Sequence, residues 1–166
     1  MPITKKLIKF LSKIKYEPIE HKIVYTAYDK SQTLRVPEKT VGKTLVMKIG
    51  GNFALILIPA NKILDKAKFK KIANDWAKKT KQKSIKEISF ATEAWMKKNL
   101  KGVKVGAIPP FGNLWGLPTF LDRSLLGNSK IIINAGDYNI SIKINPDFFK
   151  KIIPDLVVGS FSKTRK

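Results

Sequence analysis

Lys43 opens an apolar run, Lys43-Thr44-Leu45-Val46-Met47-Lys48-Ile49, and a lysine in that setting has two destinations. It projects into solvent, as most of the 33 basic side chains must, or into a cleft floored by a sheet. In a cleft, its compact ammonium can bind a phosphate or polarise an ester carbonyl. A loop supplies the second candidate chemistry: Gly106-Ala107-Ile108-Pro109-Pro110-Phe111-Gly112. Glycine lets backbone come close to a ligand, and proline fixes the direction of the departing chain. The stretch is then either an ordinary tight turn or a set of backbone N–H groups aimed at a carbonyl oxygen, an oxyanion site built without side chains. Phe111, Leu114 and Trp115 follow closely and can wall a pocket, stack on a nucleobase, or sit in the core. Gly136 in Ala135-Gly136-Asp137 reads as a hairpin turn between two apolar strands. Asp122, in Leu121-Asp122-Arg123, is expected to pair structurally with Arg123 or a backbone amide.

Composition removes most other chemistries. The chain has no cysteine, which excludes disulfides, thiolate metal sites and a Cys nucleophile. It has one histidine, His21, so neither a His-based metal site nor a Ser-His-Asp triad is expected, and no cofactor is implied. A lone histidine on a strand is more often structural than catalytic. The uncharged stretch 49–60 is too short and too broken by Gly50, Gly51 and Asn52 to cross a bilayer. Lysines interrupt the apolar positions at the N-terminus, which is not the pattern of a signal peptide. These readings predict a soluble, cytoplasmic protein.

The charge is a second constraint. Thirty-three Lys and Arg face twelve Asp and Glu, a net charge of +21. Residues 62–104 hold fourteen lysines and four acids, and residues 1–15 hold five lysines and no acid. Such a surface concentrates polyanions and binds phosphates through counterion release. A genome bias toward Lys would raise both charges, yet acids stay scarce, so a nucleic-acid partner is favoured. Lys78, Lys79, Lys81 and Lys83, with Lys163, Arg165 and Lys166, are the expected phosphate contacts.

The elements that must position these residues alternate in type. Residues 4–15 carry Leu7, Ile8, Leu11 and Ile14 at helical spacing, an amphipathic helix expected to pack on a sheet, or else to lie on a membrane surface. Strands are predicted at 17–25, 43–49, 53–58, 119–122, 130–135 and 139–144. Helices are predicted at 28–34, 64–78, 90–99 and 146–152. Gly50-Gly51-Asn52 joins two runs that are apolar on both faces, a hairpin of central strands. Two hairpin-like pairs argue against a doubly wound parallel sheet and for a single mixed α/β (α+β) domain over 1–159: a mixed, curled, barrel-like sheet flanked by helices. Residues 160–166 read as a basic C-terminal tail.

Several of these passages together resemble the YbaK and prolyl-tRNA synthetase editing-domain family. Val41-Gly42-Lys43-Thr44-Leu45-Val46 is similar to its lysine-threonine-leucine strand, Gly106 to Pro110 to its G-x-x-x-P loop, and Ile58-Pro59-Ala60-Asn61 with Leu64-Asp65 to a further family passage. The resemblance spans about residues 21–149. It implies an aminoacyl-tRNA deacylase that acts in trans, with aminoacyl-tRNA as partner and prolyl-tRNA synthetase as a transient associate. It assigns Lys43 and the loop residues Gly106, Ala107, Ile108 and Pro110 to catalysis, and His21, Phe111, Gly112 and Gly136 to substrate binding.

An aminoacyl ester is already activated, so positioned water, a backbone oxyanion site and the ribose hydroxyl of the substrate suffice without metal, thiol or imidazole. The chain lacks the histidine that the alanine-specific branch carries near residues 131–133, and its Ala135-Gly136 ending is closer to the branch associated with Cys on tRNA(Pro). The alternative from the residues alone is a non-catalytic RNA-binding module that kept the fold.

Overall fold

A computed structural model describes residues 4–165 of the protein. Its first strong determinant is the hairpin. Strand β2 (Gly42–Ile49) returns through Gly50-Gly51 into β3 (Asn52–Pro59), with Ile49 opposite Asn52 and Lys43 opposite Ile58. Gly50 sits at φ +63°, a conformation that glycine adopts without strain.

β3 is buried on both faces because its residues alternate between two cores. Ala54, Ile56 and Ile58 face helix α3 (Lys66–Lys79), which offers Phe69, Ala73 and Ala77 at four-residue spacing. Leu57 faces the other way, into a cluster with Leu121, Phe111, Phe149 and a set of isoleucines.

Sheet topology follows from this hairpin. β5 (Ile88–Phe90) pairs antiparallel with β2, while β6 (Thr119–Asp122) joins β3 in parallel and β9 (Val157–Gly159) joins β6 in parallel. The five-stranded order is β5-β2-β3-β6-β9. A three-stranded antiparallel sheet is built from β1 (Tyr16–Glu20), β8 (Ile140–Ile144) and β7 (Ile131–Asn134), in the order β1-β8-β7. The two sheets meet at a parallel bridge between Val41 and Ile132 and do not close. The mixed α/β expectation is met, with an open pair of sheets where a barrel-like curl was expected.

Local chemistry sets the element ends. The expected helix over 64–78 begins two residues later, because Leu64 belongs to β4 (Lys62–Leu64) and Asp65 caps α3 by accepting from Lys68 N–H at 3.1 Å. Thr92 likewise caps α4 (Glu93–Asn99), so Phe90 stays in β5. The N-terminal helix α1 (Lys5–Phe10) is shorter than 4–15; Leu7 and Leu11 are buried beneath it and its neighbouring turn. The predicted strand over 17–25 ends at Glu20. Helix α2 (Ala27–Leu34) is capped by Thr26, and α5 (Phe149–Ile152) follows a 3-10 turn that starts at Pro146.

The expected basic tail is tied down up to residue 165. Phe161 is fully buried, and β10 (Ser162–Thr164) pairs antiparallel with β4. Asp122 fixes that segment by accepting from Phe161 N–H and from the Ser162 hydroxyl, both at 2.9 Å, so its partners are the C-terminal strand and Ser124 and not Arg123. Among the described residues no helix is long and apolar enough to cross a membrane.

Candidate active site

Four segments converge on a cleft of about 190 Å³: residues 24–27 with Lys30 of α2, the opening of β2, the Gly106 loop, and the turn between β7 and β8. Lys43, Thr44, Gly106, Ala107, Asn134 and Asp137 line it, with Tyr25 and Tyr138 among its walls. Among the wider grooves elsewhere are two of about 790 and 680 Å³. The first is lined in part by Asp75, Asp155 and Lys79, the second by Lys6, Lys9, Lys13 and Lys151 among others, and neither includes Lys43 or Gly106.

Lys43 is half-buried. Loss of hydration holds its pKa below the ordinary lysine value and the Arg165 guanidinium adds to this, while the Glu38 carboxylate works in the opposite sense. Arg165 pairs with Glu38 at 3.7 Å and donates to Ala60 C=O. This guanidinium therefore has a place beside Lys43, where a free tail contact was expected. A partly dehydrated ammonium interacts more strongly with a developing negative charge than one in bulk water.

Lys30 is the residue that the sequence reading missed. It is 6% exposed, and its Nζ donates to Asn134 Oδ1 at 2.7 Å. Burial pushes its pKa down to about 8. Because lysine can only donate, Asn134 must turn its oxygen toward Lys30 and its amide nitrogen away. That nitrogen donates to Ile108 C=O at 3.3 Å, so α2, β7 and the Gly106 loop are linked through one side-chain amide. A signal existed: Ala27, Lys30, Ser31 and Leu34 recur at core-facing helical spacing, and Ala27 and Leu34 do pack inward.

The loop presents backbone and little else. Gly106 lies at φ +90°, Ala107 and Ile108 are buried, and Ile108 packs on Val46 and Leu55. Ala107 N–H is taken by Lys104 C=O at 3.0 Å, and Ala107 C=O accepts from Gly136 N–H at 2.8 Å. Among the described residues the Gly106 N–H has no acceptor, and Gly106 lines the cleft. Pro110 is buried behind it.

Gly136, at φ +103°, braces the loop from the neighbouring turn and is not part of the cleft lining. Tyr138 reinforces the same corner, its hydroxyl donating to Val105 C=O and its ring meeting Tyr25 edge-on at 4.8 Å.

The other expected contacts divide. Phe111 is 0% exposed, between Phe10 and Phe149 at ring distances of 5.2 Å each, so it is a core aromatic and not a pocket wall. Gly112 is buried too: its N–H donates to Thr119 Oγ1 at 2.8 Å, and a Cβ there would fall 2.1 Å from Leu117 C=O. Both residues hold the loop from behind.

His21 lies outside the cleft lining, with Nδ1 against Lys22 C=O at 2.8 Å and Nε2 against Ser141 Oγ at 2.9 Å. Its pKa is lowered, first by burial and also by the Lys30 charge, against a raising contribution from the Lys22 carbonyl. An exposed aromatic does stand at the cleft: Tyr25, 66% exposed, takes the position that sequence reading gave to Phe111. Lys78, Lys79, Lys81 and Lys83 are exposed at and just beyond the C-terminal end of α3, and Lys163 is exposed on β10. Lys166 lies outside the described residues.

The same arrangement of strands and loop recurs in known proteins. The profile of the aminoacyl-tRNA editing domain matches residues 21–152. A proline–tRNA ligase of Fervidobacterium nodosum is 27% identical over 138 residues, which is 81% of this chain and 22% of the ligase. The chain thus spans about a fifth of the length of that curated relative. The crystal structure of the hypothetical protein APE2540 superposes with a TM-score of 0.81 at 20% identity, over 96% of this chain and 100% of that one. A candidate trans-editing enzyme for prolyl tRNA synthetase superposes with a TM-score of 0.75 at 18% identity, over 96% of each chain. At those identities the likeness is one of fold, and the profile match adds the family. Its lysine strand and G-x-x-x-P loop meeting on one small cleft, the chain belongs to the aminoacyl-tRNA editing domain family.

Proposed function

We propose that the protein is a trans-acting deacylase that hydrolyses the ester of mischarged aminoacyl-tRNA, with tRNA(Pro) carrying Cys or Ala as the first substrates to test. The observation that carries this reading is the convergence of Lys43 and Gly106 on a cleft of about 190 Å³, room for a small aminoacyl group. Lys43 draws charge from the ester carbonyl or holds the adjoining phosphate, and the Gly106 N–H donates to the oxyanion as it forms. Water attacks the ester carbon with help from the vicinal ribose hydroxyl. The tetrahedral intermediate then collapses, releasing the amino acid and the tRNA 3′ terminus. No protein nucleophile is required, since the ester is already activated.

Size is the main filter in so small a cleft, and size alone separates neighbouring side chains only weakly. The basic surface of α3 and β10 supplies the tRNA body with phosphate contacts, and Tyr25 offers a ring for the terminal base. Prolyl-tRNA synthetase is the transient partner that this substrate suggests, and the cytoplasm its location. A deacylation screen against a panel of mischarged tRNAs tests the reading. Turnover of at least one, abolished by Lys43→Ala, supports it, whereas tRNA binding without turnover of any would make the protein a binding module.

A further inference from the structure

Lys30 carries a charge that the protein does not neutralise. Its one hydrogen-bond partner, Asn134 Oδ1, is neutral, and among the described residues no carboxylate lies within ion-pair distance of it. Asp137, the carboxylate of this cleft, is held by Lys104 at 3.7 Å and accepts from Tyr138 N–H at 2.7 Å. An ammonium has three N–H donors, so two remain for an acceptor that the protein does not supply. A buried cation without a counter-charge is costly, and a cleft that keeps one gains when an anion arrives. The cleft is small: about 190 Å³ admits a group of a few heavy atoms beside the reacting ester.

We propose that Lys30, oriented by Asn134, forms a subsite for a compact oxyanion carried by the substrate. That oxyanion is the phosphate of the acylated terminal nucleotide or a carboxylate on the side chain of the misattached amino acid. The inference rests on the deacylase reading of the cleft for its substrate, but oxyanion binding itself needs no turnover. Lys30 reaches the same cleft as Lys43 but from α2, whereas Lys43 comes from the opening of β2. Asn134 also holds Ile108 C=O, so an anion docked on Lys30 sits against the amide that anchors the catalytic loop.

Three minimal esters separate the sources: 3′-alanyl-adenosine, the same ester with a 5′-phosphate, and 3′-aspartyl-adenosine. In the wild type, kcat/KM for one of the two oxyanion-bearing esters is expected to exceed that for 3′-alanyl-adenosine by about tenfold to a hundredfold, the worth of a charged hydrogen bond. In Lys30→Met the ratio falls toward one. Preference for the phosphate-bearing ester identifies the nucleotide as the source, and preference for the aspartyl ester identifies the side chain. A ratio that is the same in wild type and Lys30→Met overturns the proposal.

If the wild type hydrolyses no ester, the deacylase reading fails by itself, and a binding measurement then decides the subsite. The ¹³Cε resonance of Lys30, assigned by its absence from Lys30→Met, is titrated with pH in 5′-AMP against adenosine, and in N-acetyl-aspartate amide against its asparagine counterpart. A midpoint raised by about one pH unit with either anion supports the subsite. A midpoint unmoved by both refutes it.

Discussion

Replacing Lys30 with methionine should change how stability depends on pH, and the size of the change follows from burial. Lys30 titrates near 8 in the folded chain against an ordinary 10.5. At about 1.4 kcal/mol per pH unit, its protonated form costs the folded state about 3 kcal/mol. The sign is set by proton binding. Between pH 8 and 10.5 the unfolded chain holds this proton and the folded chain has lost it, so wild-type stability rises with pH across that window. Below pH 8 the full cost is present.

Methionine removes the charge at similar volume but leaves Asn134 Oδ1 buried without its donor, a loss of about 1–2 kcal/mol. Lys30→Met should therefore be about 1–2 kcal/mol more stable than wild type at pH 7 and less stable by a similar amount at pH 10.5, so the two curves cross. Urea unfolding of both proteins at steps between those pH values measures the difference. Every other residue is the same in the two chains, so its contribution cancels. A stability difference that stays constant with pH would falsify the burial argument.

Lys43→Ala is expected to lower deacylation by about a hundredfold with unchanged circular dichroism and melting, because the lysine stabilises charge without supporting the core. Equal activity at matched tRNA binding removes Lys43 from the site. Gly106→Val should cost about 1–3 kcal/mol of stability from its φ of +90° and abolish turnover; a variant that deacylates normally reduces the loop to a turn. Gly112→Ala forces a Cβ to within 2.1 Å of Leu117 C=O, so an unfolding loss of about 3 kcal/mol is expected, and unchanged stability contradicts the packing described. Neutral substitutions at Lys78, Lys79, Lys81 and Lys83 should weaken tRNA binding and flatten its salt dependence while sparing a minimal ester, and an unaltered salt slope removes that face from docking.

What the sequence disclosed was what local chemistry decides. The hairpin of Lys43 was legible because two doubly apolar runs flank Gly50-Gly51, and α3 because its apolar residues keep helical spacing. The register that brings Lys43 toward Gly106 was not, since it depends on pairings across the whole chain. Phe111 misled because an aromatic after a glycine-rich loop suits a pocket or a core equally, and only the positions of Phe10 and Phe149 decide. Residues 160–166 looked like a tail because a single apolar residue, Phe161, lies between serines and is followed by Lys163, Arg165 and Lys166, yet its burial anchors β10. Lys30 stayed hidden among 33 basic residues because composition is blind to which of them is dehydrated.

The link from Lys30 through Asn134 to Ile108 spans sequence separations of 104 and 26 residues. Closing so long a loop before its contacts reward it is entropically slow, whereas the β2–β3 hairpin forms locally. The cleft is thus expected to form after the hairpin, once β7 has docked beside α2. Gly136 N–H, bonded to Ala107 C=O across the same junction, should accordingly exchange with solvent only when that junction opens. Its exchange rate becomes a readout, at a single amide, of whether the cleft is intact.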